Sequence, residues 1–302
     1  MQIRLRAGEP LARALAERFG ASPAHGWLTI EPAEVSEPTE SPEPARGWHQ
    51  TFDGVVPLAG RSVRLRSAAR SGGYRVEAEG IGAFEVLPGG GGIRQVAEAA
   101  AAEPAALEEL ALGPPLVLAF ALRRSWCLHA SGIRFAGADG APRCALFLGE
   151  SGAGKSTLAE AFSEGRIADD VVPVAVGPEG ASIFPRFPQL KLGRGEPAGG
   201  SPEILPLAAV YLLAPPTGAG ASIGPGPSIR RLAPAEAALA LVRSTVASRL
   251  LSAEDLRRNV EDCGRIADRA RVCSLGFERR RERLPEVVGA VRDDLRADLR
   301  VP

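Results

Sequence analysis

The run Leu146-Phe147-Leu148-Gly149-Glu150-Ser151-Gly152-Ala153-Gly154-Lys155-Ser156-Thr157 holds the residues whose types and spacing speak most plainly of chemistry. It fits the pattern G-x-x-x-x-G-K-[ST], directly after an apolar strand candidate and directly before a helix candidate, the context in which this pattern cradles phosphate. Gly149, Gly152 and Gly154 let the backbone bend so that successive N–H groups point inward, and the first turn of the following helix adds its own amides. A triphosphate tail fits such a nest. Within the set Gly149, Glu150, Ser151, Gly152, Ala153, Gly154, Lys155, Ser156 and Thr157, the pattern assigns Lys155 to the β- and γ-phosphates. It assigns the Ser156 hydroxyl to a Mg²⁺ ion bridging them.

Lysine is scarce here. Of 36 basic residues only Lys155 and Lys191 are lysine, and the chain keeps one of the two where a compact ammonium is preferred to a planar guanidinium. Lys191 reads equally as a solvated side chain or as part of an active site. The 35 glycines, 26 prolines and single asparagine, Asn259, point to a codon bias, so glycine alone carries little weight and the run Gly89 to Gly92 reads as a turn.

After the loop, Arg166-Ile167-Ala168-Asp169-Asp170-Val171-Val172 runs into a strand candidate bearing two adjacent carboxylates, with Gly165 as a helix C-cap before it. An intervening helix of two to three turns covers roughly 12–15 Å. The chain is therefore expected to return alongside the strand it left, with the pair in reach of the phosphates. Neighbours in a strand point to opposite faces, so one aspartate is expected to meet the nucleotide site and the other to hold a metal, a water or a structural partner. A carboxylate there serves a kinase by accepting the proton of an attacking hydroxyl, and an ATPase by orienting water. A third element, Trp126-Cys127-Leu128-His129-Ala130-Ser131-Gly132, places His129 in a strand hairpinned to Cys144–Leu148 through a turn at Gly137–Pro142.

These three elements in this order resemble the catalytic domain of the HPr kinase/phosphorylase family and its HPr-kinase-like relatives. The loop is also similar to that of the phosphoenolpyruvate carboxykinases. The resemblance spans about Leu112 to the C-terminus. It implies an α/β P-loop kinase domain of HPr kinase/PEP carboxykinase type, with ATP on Gly149 to Ser156 and Mg²⁺ on Ser156. It further implies Asp170 as proton acceptor for a hydroxyl, with His129, Asp169 and Lys155 as its catalytic companions and Asp169 also on the metal. The family's glutamate-plus-Arg-Gly-Leu-Gly segment has no counterpart in Phe187 to Gly193, and an Arg-Pro-Gly-Arg-Asn signature is absent. These departures argue against phosphorylase activity and against HPr as the target, and the N-terminal hundred residues resemble more the family's divergent relatives, some of which phosphorylate precursor peptides. The expected activity is transfer of the γ-phosphoryl of ATP to Ser or Thr of a peptide or small protein. A small-molecule alcohol kinase, or a nucleotide-sensing or ATPase module without an acceptor, is the alternative.

The elements that must position these residues follow from periodicity. Residues 1–100 read as a small mixed α+β accessory module: a helix over Leu11–Phe19, a strand over Trp27–Ile30, and alternating strands over Ser62–Arg66, Tyr74–Ala78 and Ala83–Leu87. Its stretch 31–46 is a Pro/Glu/Ser-rich loop. Residues 101–302 read as the catalytic domain, opened by helices Ala101–Leu112 and Pro115–Arg124. Its strands are Cys127–Ile133, Cys144–Leu148, Arg166–Val174, Leu207–Leu213 and Val272–Leu275. Its helices are Lys155–Phe162, Pro234–Ala247, Ala253–Arg269 and Leu284–Leu295. The apolar faces of Pro234–Ala247 and Ala253–Arg269 read as core, with a homo-oligomer interface as the other reading.

Composition bounds the partners. With 36 basic and 36 acidic residues among 302, the formal net charge is zero, which argues against a nucleic-acid groove or an acidic membrane surface. The N-terminus Met1-Gln2-Ile3-Arg4 leads into no apolar signal segment, and Cys127, Cys144, Cys263 and Cys273 form no CxxC pair. The expected setting is cytoplasmic and reducing.

Overall fold

The computed structural model describes residues 3–19, 28–35, 47–162, 165–185, 187, 204–214 and 226–298. His25, Trp27, the stretch 36–46, and 188–193 with Lys191 lie outside the described residues. Packing divides the chain into two units: Met1–Ser125 with Ala247–Arg258, and Trp126–Val246 with Asn259–Pro302.

In the first unit, β1 (Ile3–Ala7), α1 (Glu9–Phe19) and β2 (Leu28–Pro32) make a crossover between parallel strands. With β3 (His49–Leu58), β4 (Arg61–Arg70), β5 (Gly73–Ala78), β6 (Gly82–Val86) and β7 (Gly92–Glu98) they form a seven-stranded sheet ordered β2-β1-β7-β6-β5-β4-β3. Strand periodicity gives it two unlike faces. Leu5, Leu65, Val76, Phe84 and Ile93 are buried. The other face is a lattice of ion pairs, Arg4 and Arg6 with Glu31, Arg94 and Arg75 with Glu85, Arg64 and Arg66 with Asp53.

The helices α2 (Pro104–Leu112) and α3 (Pro114–Leu122) each begin at proline, where the missing N–H has no intrahelical partner to lose. They bury Leu107, Leu110, Leu116 and Phe120, and α3 packs on β5, β6 and β7. The stretch Pro104–Leu122 is apolar enough to cross a membrane by length and composition, but most of it is buried as core. Because these helices cover the first sheet, the first unit runs to Ser125 and does not end near residue 100. The segment Ala247–Arg258 returns to it. There the Tyr74 hydroxyl donates to Asp255 Oδ2 at 2.5 Å and accepts from the Ser252 N–H at 2.8 Å.

In the second unit, β8 (Ser125–Ala136) and β9 (Pro142–Leu148) form the expected antiparallel hairpin. Then follow α4 (Lys155–Glu160), β10 (Arg166–Gly177), β11 (Gly180–Ile183), β12 (Leu205–Leu213), β13 (Ser228–Arg231), α5 (Pro234–Arg243), α6 (Ala253–Arg269), β14 (Arg271–Gly276) and α7 (Leu284–Asp298). The sheet order is β11-β10-β8-β9-β12-β14-β13, with β9, β12 and β14 mutually parallel, and β11 also reaches β12. One face buries Leu146, Leu148, Val172 and Val210 with Leu241 of α5 and Ile266 of α6. The other buries Phe147, Tyr211 and Leu275 with Leu158 of α4 and Val287 and Val291 of α7. Covering both faces is why β9 and β12 are apolar without alternation.

The strands and helices differ from expectation at three places. The strand β10 lies beside β8, one strand away from the β9 that the chain left. The helix α5 ends at Arg243, short of Ala247, because Ser244–Val246 changes over to strand-like bonding with β8. The His129 N–H donates to Ser244 O and the Val246 N–H to Cys127 O, each at 2.8 Å. The helix α4 ends at Glu160, short of Phe162.

Candidate functional site

The loop between β9 and α4 turns on glycine. Gly149, Gly152 and Gly154 have φ of 152°, 79° and 89°, conformations that side chains rarely adopt. At Gly149 space is closed as well, since a Cβ would stand 3.1 Å from that of Ala153 and 3.3 Å from that of Leu213. Lys155 opens α4 and is buried. Its Nζ donates to Gly149 O at 2.8 Å and Glu150 O at 2.9 Å, so the ammonium folds back over the loop. Lys155 and the glycines therefore meet in one turn at the carboxyl end of β9, where open α/β sheets take ligands.

Asp169 connects this loop to the sheet. Its Oδ1 accepts the hydroxyl protons of Ser156 at 2.7 Å and of Ser131 at 2.6 Å, and its Oδ2 accepts from Arg166 at 3.0 Å. Arg166 also reaches Glu160 at 2.9 Å. Both oxygens of the carboxylate are thus engaged. Asp169, read from sequence as a metal ligand, thus stands as the acceptor of the Ser156 proton, leaving the Ser156 lone pairs turned away from it.

Asp170 departs from the regular strand. Its φ is +81°, in the left-handed region that non-glycine residues enter at a cost of about 1–3 kcal/mol. The turn of backbone breaks the alternation expected of neighbours. Asp169 meets Ser131 while Asp170 meets His129, and these two lie two positions apart on one face of β8. The expectation of opposite faces therefore fails, and both carboxylates come to the loop's side of the sheet. His129 Nδ1 is 3.1 Å from both the Asp170 backbone oxygen and its Oδ1. The side chains of Asp170 and His129 keep 25% and 33% of their exposure, against 13% for Asp169, so the first two are the more open to solvent.

Sequence reading brought together His129, Lys155, Ser156, Asp169 and Asp170, and the second unit contains them all. It assigned no role to Ser131 or Arg166. Ser131 was open to inference, standing two positions from His129 on a period-2 strand. Arg166 carries no mark in its spacing and is found only through its contacts. Among the described residues, no group of three or more His, Cys, Asp and Glu side chains is placed to hold a metal. A cation here would take the Ser156 hydroxyl as its protein ligand and its remaining ligands from elsewhere. That suits Mg²⁺, which commonly keeps waters and substrate phosphates in its shell.

Fold and site together define a mixed α/β protein in which a glycine-rich strand-to-helix turn, two aspartates and a histidine meet at one end of a sheet. Compared with known proteins, the chain matches no family model and no curated protein.

Proposed function

We propose that the chain is an ATP-dependent phosphotransferase with a P-loop of the HPr-kinase-like type, acting on a hydroxyl of a peptide or small protein. The observation that carries this reading is the 2.7 Å bond from Ser156 Oγ to Asp169 Oδ1 beside the half-buried Asp170–His129 pair. A kinase needs both parts, a hydroxyl to ligate a metal and a second carboxylate to take a proton.

Mg²⁺ and ATP, when bound, supply a phosphorus open to attack and offset the charge on its oxygens. The chain's own residues do the rest. Asp169 holds the Ser156 proton and so directs the hydroxyl's lone pairs to the metal. Lys155, leaving its loop carbonyls, offsets phosphate charge. Asp170 accepts the proton of the attacking hydroxyl, and His129, bonded through Nδ1, fixes that carboxylate's direction.

Purified protein incubated with ATP labelled at the γ-phosphate, and separately at the α-phosphate, tests the reading against candidate peptides. Label passing to a serine or threonine from the γ position alone, and lost in Asp170→Asn, supports it. Labelled phosphate released without any labelled acceptor identifies an ATPase, and neither product overturns both.

A further inference from the structure

Resting on the phosphotransferase reading, we propose that Ser131 is a positioning residue for the metal-binding hydroxyl of Ser156, acting through Asp169. Ser131 belongs to β8, outside the loop and outside α4. It is wholly buried, so its hydroxyl meets neither solvent nor substrate. Yet its proton goes to the oxygen that takes the Ser156 proton, at 2.6 and 2.7 Å.

Those two bonds have unequal consequences. The bond from Ser156 alone leaves the Asp169 side chain a hinge, because one hydroxyl, here in the first turn of α4, does not fix a carboxylate's rotation. Ser131 adds a second donor to the same oxygen from a strand hydrogen-bonded on both sides, by β9 and by β10. Arg166 fixes the opposite oxygen. With both ends tied, the carboxylate plane is set by the sheet, and the Ser156 hydroxyl is oriented before any metal arrives. Such preorganisation raises affinity by removing the ordering step from binding. The same ties keep Asp169 from swinging to ligate the cation itself, so metal binding depends on phosphate being present.

The experiment compares Ser131→Thr with Ser131→Val, which match in shape and differ by the hydroxyl. Mn²⁺ is titrated by electron paramagnetic resonance into protein saturated with ATP, and metal-free ATP affinity and melting temperature are measured alongside. The threonine variant is expected to bind Mn²⁺ like wild type. The valine variant is expected to bind it about tenfold more weakly or worse, as losing a hydrogen bond to a charged group predicts, with metal-free ATP affinity unchanged. Equal Mn²⁺ affinity in both variants overturns the proposal while leaving the phosphotransferase reading intact. A fall in metal-free ATP affinity matching the fall for Mn²⁺ also overturns it, since that marks general damage to the site. A wild type that binds no Mn²⁺ with ATP overturns the reading beneath it. Ser131→Ala, smaller than the residue it replaces, serves the same comparison if valine does not fit.

Discussion

Ser156 Oγ and Asp169 Oδ1 are 2.7 Å apart across the return from α4 to a strand that is not the immediate neighbour of β9. The intervening strand, β8, takes part in the contact. It contributes Ser131 to the same oxygen and His129 to the adjacent aspartate. The site is thus a three-strand construction, and its central strand supplies orientation while its outer two supply the loop and the acids.

The left-handed backbone of Asp170 predicts an uncommon pair of outcomes. Asp170→Gly and Asp170→Ala remove the same carboxylate, but only glycine adopts a φ of +81° without steric penalty. Urea unfolding is expected to find the glycine variant more stable than the alanine variant by about 1 kcal/mol, with phosphoryl transfer lost in both. Equal stabilities would contradict the strained strand.

In the first unit, Tyr74→Phe is expected to cost about 1–3 kcal/mol of stability. It leaves a buried Asp255 carboxylate and the Ser252 N–H short of a partner. The check is chemical denaturation, with ATP affinity measured in parallel and expected to hold.

Stability is expected to fall as pH rises above about 9. Burial pushes the Cys263 thiol up from 9.0 to about 12 and raises Cys127 and Cys144 further. Burial, then the bond to Asp255, raises the Tyr74 hydroxyl as well. The folded chain therefore keeps protons that the unfolded chain has lost, and the stabilisation by these groups is complete below pH 9 and drains away on the way to pH 12. Melting temperatures across pH 7 to about 11 check this, and a flat profile would contradict it.

The loop, its flanking strand and helix, the His129 hairpin and the acidic strand were all legible in the sequence, because each is a local pattern. What failed depended on partners distant in the chain. The edge strand β3, which the periodicity did not single out, carries Pro57, tolerated there because an edge strand can spare a donor. The end of α5 is set by Ser244–Val246 finding β8, and α2 and α3 belong to the first unit because they cover its sheet. The turn at Asp170 overrides the alternation rule, and no neighbouring residue type announces it.

The central claim is that Gly149 to Thr157 seats a nucleoside triphosphate with Lys155 and Ser156 as its charged and metal-facing contacts. Calorimetric titration of the whole chain with ATP, with and without Mg²⁺, tests it most directly. The account predicts saturable binding at one site, strengthened by Mg²⁺, weakened at least about tenfold in Lys155→Ala and not restored in Lys155→Arg. No binding by the folded wild type, or binding indifferent to Lys155, would contradict it.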